Sequence, residues 1–374
     1  MLTLDRLSQL IDEAEFLKTG KRGTKRLFSI VTDHFFETTI RPRQELGLDS
    51  CHATGWMTCT DSRSNVRRWF KMVSPEHSKE VSRLCLDFIR ALLIRSPQDE
   101  FYLVSWTLSS SGSVGYTLRQ IICNDSQTRF ETSNCAALEQ SVNQSISTLY
   151  RAGSSNSPDA GAGAIHSWLT GGSFTHEQLQ QILATRIFLN FSGLYLTDID
   201  LLTRDGDRLC IVEFKRKYPT QGARFLFHST PTSFASVLAA FEKGFDTRSL
   251  RHCSYPQPEA FGLDHSHLKV LSHVSRSEIV YRHVIWDTRT RELPELLTCD
   301  LKPKSSLIIR YRDLDCSSFC GITSAPPGES GTYSEHNART QALMNAADFR
   351  TFSMPAVSGS LDNNPSGNRA DHEP

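Results

Sequence analysis

The sequence predicts a mixed α/β protein of two domains followed by a disordered C-terminal tail. Three observations predict it. Some stretches carry apolar residues at helical spacing, others carry β-branched and aromatic residues with a two-residue period, and a run of small residues divides the chain near its middle. At 374 residues the chain is too long for one ordinary domain and comfortable for two. Its 39% hydrophobic and 22% charged residues suffice for sizeable cores without a disulfide or metal staple. Lys+Arg 41 against Asp+Glu 41 gives a formal net charge of zero, which excludes a histone-like polycation but not a local basic groove.

No run approaches the ~18 apolar residues of a bilayer span. Met1-Leu2-Thr3-Leu4-Asp5 has neither the basic start nor the apolar stretch of a secretory signal. The expectation is a cytoplasmic protein with no membrane partner. The ten cysteines include no CxxC pair, in keeping with that compartment. Cys85 and Cys210 lie in apolar patterns and are expected in the core. Cys51-His52 with Cys59, and Cys316 with Cys320, come nearest to zinc spacing but lack paired close ligands.

Residues 1–150 are expected to form a mixed α/β domain. Leu4, Leu7, Leu10, Ile11 and Ala14 predict a first helix. Val81, Leu84, Phe88, Leu92 and Leu93 predict a stronger one within His77 to Ile94. Phe101 to Leu108 and Tyr116 to Cys123 flank a Ser/Gly turn and predict a hairpin. Two basic-aromatic stretches, Lys21 to Phe28 and Arg67 to Lys71, suggest recognition of nucleic acid, or of a protein partner or second copy, through this domain. The competing reading of Arg67 to Lys71 is an ordinary half-buried strand. Residues 151–164 read as a linker. Residues 165–315 form the second domain, and 316–374, rich in Ser, Gly, Asn and Pro, are expected to be mostly disordered.

The second domain carries the chemistry. Thr175-His176-Glu177-Gln178 has the form of a capping box, and Leu179, Ile182, Leu183 and Ile187 continue as a helix. Leu194 to Thr203 reads as a strand, Asp205-Gly206 as a tight turn, and Arg208 to Lys217 as the return strand. With Asp205 and Gly206 central in the turn, Asp198 would face Glu213, with Asp200 on the same face as a diagonal neighbour. Glu213 and Lys215 also share a face. Acids inside apolar strands need compensation, and a divalent cation with oxygen ligands supplies it. Downstream, Lys217, Arg224 and His228 are candidates for phosphate contact. Thr230 to Gly244 predicts a helix, and Ile279 to Trp286 and Leu307 to Tyr311 predict strands. His265 and His267 sit in a polar stretch at weak metal spacing.

Asp200, the Asp-Gly hairpin and Glu213-Phe214-Lys215 together resemble the PD-(D/E)XK nuclease superfamily. The resemblance covers roughly Gly171 to Asp313 and includes the order helix, strand, hairpin, strand, helix, strand. It implies a restriction-endonuclease-like αβββαβ core and Mg²⁺-dependent (or Mn²⁺-dependent) hydrolysis of phosphodiester bonds, with DNA as the favoured substrate. It implies Asp200 and Glu213 as metal ligands and Lys215 as the residue assisting water or the phosphate. Asp198 is the alternative strand acid, and Glu177 the candidate for the helix acid that members often add. Ile199 precedes Asp200 where the pattern has Pro. The alternative to an enzyme is a nuclease fold without turnover, serving nucleic-acid binding or assembly.

Overall fold

The computed structural model describes residues 2–19, 24–61, 64, 66–77, 81–123, 130–151, 168–217, 226–227, 251–252, 260–288, 293–298, 300–319, 321–324, 340–352 and 354–356. The chain opens with α1 (Leu4–Thr19) and α2 (Thr24–Phe35), and α2 runs directly into a π-helical turn at Phe36–Ile40. Next come β1 (Trp56–Thr60), β2 (Arg67–Met72), α3 (Arg83–Arg95), β3 (Glu100–Leu108), β4 (Val114–Cys123), β5 (Phe130–Asn134) and α4 (Ala136–Arg151). The following group is α5 (His176–Phe191), β6 (Thr197–Ile199), β7 (Leu201–Asp205) and β8 (Arg208–Lys217). After short β9 (Leu226–Phe227) and β10 (Arg251–His252) come β11 (Ala260–Asp264), α6 (His265–Val274), β12 (Val280–Asp287), α7 (Leu293–Leu296) and β13 (Ile309–Asp313). The last described elements are β14 (Gly321–Ser324), β15 (Thr340–Asn345), α8 (Ala346–Phe352) and β16 (Met354–Ala356).

The protein is mixed α/β. One sheet runs β5-β4-β3-β2-β1-β6 and is antiparallel except at β2–β3. A second runs β16-β13-β12-β8-β7 and is antiparallel except at β12–β8. A third, β10-β9-β14-β15-β11, is antiparallel throughout. The first two sheets meet because β6 and β7 are successive pieces of one extended stretch, interrupted at Asp200. Trp56 pairs with Ile199, and Ala53 bridges Leu202 in the same register, so the segment ahead of β1 follows this stretch across the interruption.

Two apolar cores lie against the sheets. One gathers Leu7 and Ile11 of α1, Val31 of α2 and Leu183 and Ile187 of α5 with Met57, Phe70, Val212, Phe214 and Trp286. The other gathers Phe88 of α3 and Leu271 of α6 with Trp56, Trp69, Ile211, Tyr281 and Ile285. The alternation along β2 explains the split, since Trp69 and Phe70 are neighbours in sequence and enter opposite cores. Buried Cys85 and Cys210 pack as expected. Residues at Arg67 to Lys71 follow the strand reading: both aromatic rings are fully buried, so neither can stack on a base. Side chains at Lys21 to Phe28 lie outside the described residues.

Several expectations are corrected. The two halves of the chain do not form separate domains, because β6 takes up the edge of β1 and both cores mix residues from each half. An open edge on β1 would be an unpaired row of backbone groups, and β6 removes it. Of the linker expected at residues 151–164, Arg151 ends α4 and residues 152–164 lie outside the described residues. The tail reading also gives way in part. β14 and β15 join the third sheet, β16 joins the second, and Ala342, Met344, Ala346 and Phe349 are fully buried. The helix expected from His77 begins at Arg83, where the Ser82 hydroxyl caps it by accepting from Cys85 N–H at 3.3 Å. The helix expected at Thr230 to Gly244 lies outside the described residues.

Candidate active site

The capping box at Thr175 forms as expected. Thr175 Oγ1 accepts from Gln178 N–H at 3.2 Å and the Gln178 side chain accepts from Thr175 N–H at 2.8 Å, which fixes the start of α5. The β7–β8 hairpin also forms, in a shifted register. Asp205 pairs with Arg208, so Gly206 and Asp207 are the central turn residues and Gly206 takes the positive φ of 59°. Leu201 pairs with Val212, and continuing that register sets Asp200, not Asp198, opposite Glu213. The strict alternation expected across Asp198 to Leu201 breaks at Asp200, since Ile199 enters one core and Leu201 the other.

Asp200, Glu213 and Lys215 come together at this break. Asp200 Oδ2 accepts from Phe214 N–H at 2.6 Å, which locks the acid against β8. Lys215 Nζ forms an ion pair with Glu213 Oε1 and lies 3.8 Å from Asp200 Oδ2. Glu213 is buried at 1% exposure, while Lys215 keeps about a third of its side chain exposed (33%). Burial first, and the Glu213 charge second, push the Asp200 carboxyl up to about 7, with Lys215 opposing. Burial works against the Lys215 charge, but Asp200, Glu213 and Asp198 outweigh it and hold the ammonium well above its usual range. Asp198 goes the other way. Burial opposes its charge, but the positive charges around it, Lys215 first, prevail and keep it below the usual carboxylate range.

His267 belongs to the same cluster, which its sequence context did not reveal. The stretch that read as polar is the first turn of α6, where His267 is buried. Its Nε2 lies 3.2 Å from Glu213 Oε1 and its Nδ1 3.3 Å from Tyr281 Oη. Burial, then the Lys215 charge, lower the imidazole to about 4, so the ring is neutral at neutral pH. A neutral ring that accepts at Nδ1 from the tyrosine hydroxyl carries its proton on Nε2, the nitrogen that faces Glu213. Tyr281 is suited to donate, since burial and the nearby acids push its hydroxyl well above the usual range.

Asp198 and Asp200 open onto a cavity of about 290 Å³ between β6, the segment ahead of β1, α2 with its π-helical turn, and α5. Asp33 and Glu37, one helical turn apart, line it too. Burial, then Asp200, raises Asp33 to about 7, against the pull of Arg186, whose Nη2 sits 3.2 Å away. Burial, then Asp33, raises Glu37 to about 7. π-Helical turns recur at functional sites, and this one carries Phe36 onto Phe214 with ring centroids 4.4 Å apart. Asp33 and Glu37 are the helix-borne acids that line the cavity. Glu177 stands exposed at the start of α5 and does not line the cavity. No spacing rule tied residues 33 and 37 to a motif beginning at 200. The side chain of Lys217, at the end of β8, and residues Arg224 and His228 lie outside the described residues.

Asp200 and Glu213 are the two carboxylates here that could share a cation, since both lie against Lys215 and the Glu213 charge raises the Asp200 carboxyl. Among the described residues no group of three or more His, Cys, Asp or Glu side chains is arranged to hold a metal ion. Among the described residues no helix is long and apolar enough to cross a membrane. No protein-family model, curated protein or solved structure matches the chain.

Proposed function

We propose that the protein is a metal-dependent nuclease hydrolysing phosphodiester bonds, with DNA as substrate and with a restriction-endonuclease-like core around β6, β7, β8 and β12. One observation supports the reading above others: Asp200, Glu213 and Lys215 meet at one point beside a cavity. Asp200 and Glu213 would hold Mg²⁺ or Mn²⁺, which when bound activates water and offsets charge developing on phosphoryl oxygens. Lys215 stays protonated, so its part is electrostatic: the ammonium opposes negative charge at the phosphate and does not serve as a base. Asp200 is oriented by Phe214 N–H, and Glu213 is held by its ion pair with Lys215. β8 and β12 run parallel, which requires a crossover, and α6 of that crossover delivers His267.

The test is cleavage of plasmid and single-stranded DNA in Mg²⁺ by the parent, Lys215→Ala and Asp200→Asn. Each variant should lose about 10²–10³-fold in rate. Equal cleavage by parent and variants would remove the assignment. A second reading, a nuclease-like module without turnover, is favoured by the close engagement of Glu213 with both Lys215 and His267. Mg²⁺ titration followed by calorimetry separates the two, since the inactive module should show little Mg²⁺-linked heat or stabilisation.

A further inference from the structure

The cavity beside Asp200 has more than a cation site needs. Its walls include Ile30, Met57, Ile182 and Leu189, while Gln181, Thr185 and Arg186 face it from one side of α5. Among the described residues the side chains of Gln181 and Thr185 have no hydrogen-bond partner. A small cation would use carboxylates and water and leave those apolar walls and amides without a role. A flat heteroaromatic group with polar edges uses all of them: apolar surfaces cover its faces, and amide, hydroxyl and guanidinium groups meet its edge. The volume of about 290 Å³ is close to the lower end of small-ligand pockets, roughly 300 Å³, so the space suits one such group and not a base pair.

We propose that this cavity receives one unstacked nucleobase of the DNA strand to be cut, and hence that the substrate is single-stranded or frayed and not intact duplex. The inference rests on the nuclease reading above. Asp198 and Asp200 belong to the cavity wall, so a base seated there brings its own backbone to the Asp200–Lys215 corner. Arg186 Nη2 lies 3.2 Å from Asp33 Oδ2 and offsets the charge of that carboxylate. That reduces the repulsion an anionic strand would meet at the cavity mouth. An intact duplex hides its base faces in the stack and would have to extrude a nucleotide to fill the site.

The experiment compares fluorescently labelled single-stranded and duplex DNA of one sequence, binding being read by anisotropy and cleavage by gel in Mg²⁺. The full-length parent should bind the single strand about tenfold more tightly and cut it faster. Thr185→Trp, which fills the cavity, should abolish that preference, with circular dichroism reporting the fold. Gln181→Ala is the milder variant should the tryptophan unfold the chain, and should weaken single-strand binding several-fold. Duplex bound and cut as well as single strand would overturn the base pocket while leaving the nuclease reading intact. Single-strand binding that responds to both variants, without cleavage of any substrate, would keep the pocket and discard the nuclease. No binding of either form would overturn the pocket.

Discussion

A carboxyl held at about 7, as burial and the Glu213 charge hold Asp200, prefers to keep its proton in the folded chain. The unfolded chain releases that proton near the ordinary value of about 4. The stability this group contributes is therefore fully present below about pH 4 and is lost as pH rises through about 7. Asp33 and Glu37 act in the same direction for the same first cause, burial. Asp200→Asn keeps an oxygen to accept from Phe214 N–H and removes the charge, so it should stabilise the metal-free protein at pH 8 by about 1–3 kcal/mol and little at pH 4. Thermal melts across that range check it, and a melting temperature unchanged at pH 8 would contradict the buried-charge account. Lys215→Met should do the reverse at pH 8. It leaves Glu213 buried without its ammonium, at a cost of about 1–3 kcal/mol after discounting for the lysine's partial exposure. Adding Asp200→Asn to Lys215→Met should recover part of that loss, a coupling that a double-mutant cycle reads directly.

At the scale of elements, the site exists because two paired strands are interrupted together. Asp200 breaks the extended stretch of β6 and β7, and on the facing segment Gly55 adopts a φ of 72°. A Cβ at Gly55 would meet Met72 Cβ at 3.2 Å and the Met72 carbonyl oxygen at 3.4 Å, and the left-handed backbone is unfavourable for any residue with a Cβ. Gly55→Ala should therefore cost about 1–2 kcal/mol in urea unfolding and disturb the cavity wall, since Gly55 and Trp56 both line it. Thr175→Ala removes one half of the capping box and should cost about 1 kcal/mol, read in the same assay. The sequence made the hairpin legible because Asp-Gly turns, apolar alternation and the E-x-K face are local. It misread the register because Gly206, not Asp205, takes the first central position of the turn. His267 stayed hidden because its importance comes from a crossover that sets α6 beside β8. Asp33 and Glu37 stayed hidden because a cavity wall built from residues 33 and 200 has no signature along the chain.

The whole molecule is knit by pairings that composition does not announce. The halves expected to fold separately share β1–β6, and Tyr116 of β4 donates its hydroxyl to the Ala184 carbonyl of α5 at 2.6 Å. The stretch expected to be disordered supplies β15 beside β11, and α8, whose Phe349 packs on Phe261 with ring centroids 5.4 Å apart. Ser-, Gly- and Asn-rich composition diluted a signal carried by a few residues, Ala342, Met344, Ala346 and Phe349, all buried in one core. Removing them would expose the facing side chains of β11 and α6 and leave β13 without β16 at its edge. A chain ending after Asp315 should therefore lose cooperative thermal unfolding or aggregate. A chain ending after Ala356 retains every described element and should unfold at a temperature close to that of the full chain. Limited proteolysis supplies a second measurement, since the shorter chain should be degraded throughout under conditions that leave the longer one intact. If the chain ending after Asp315 instead melts cooperatively at the parent's temperature, the third sheet and α8 contribute nothing to the fold, and the site near His267 stands without their support.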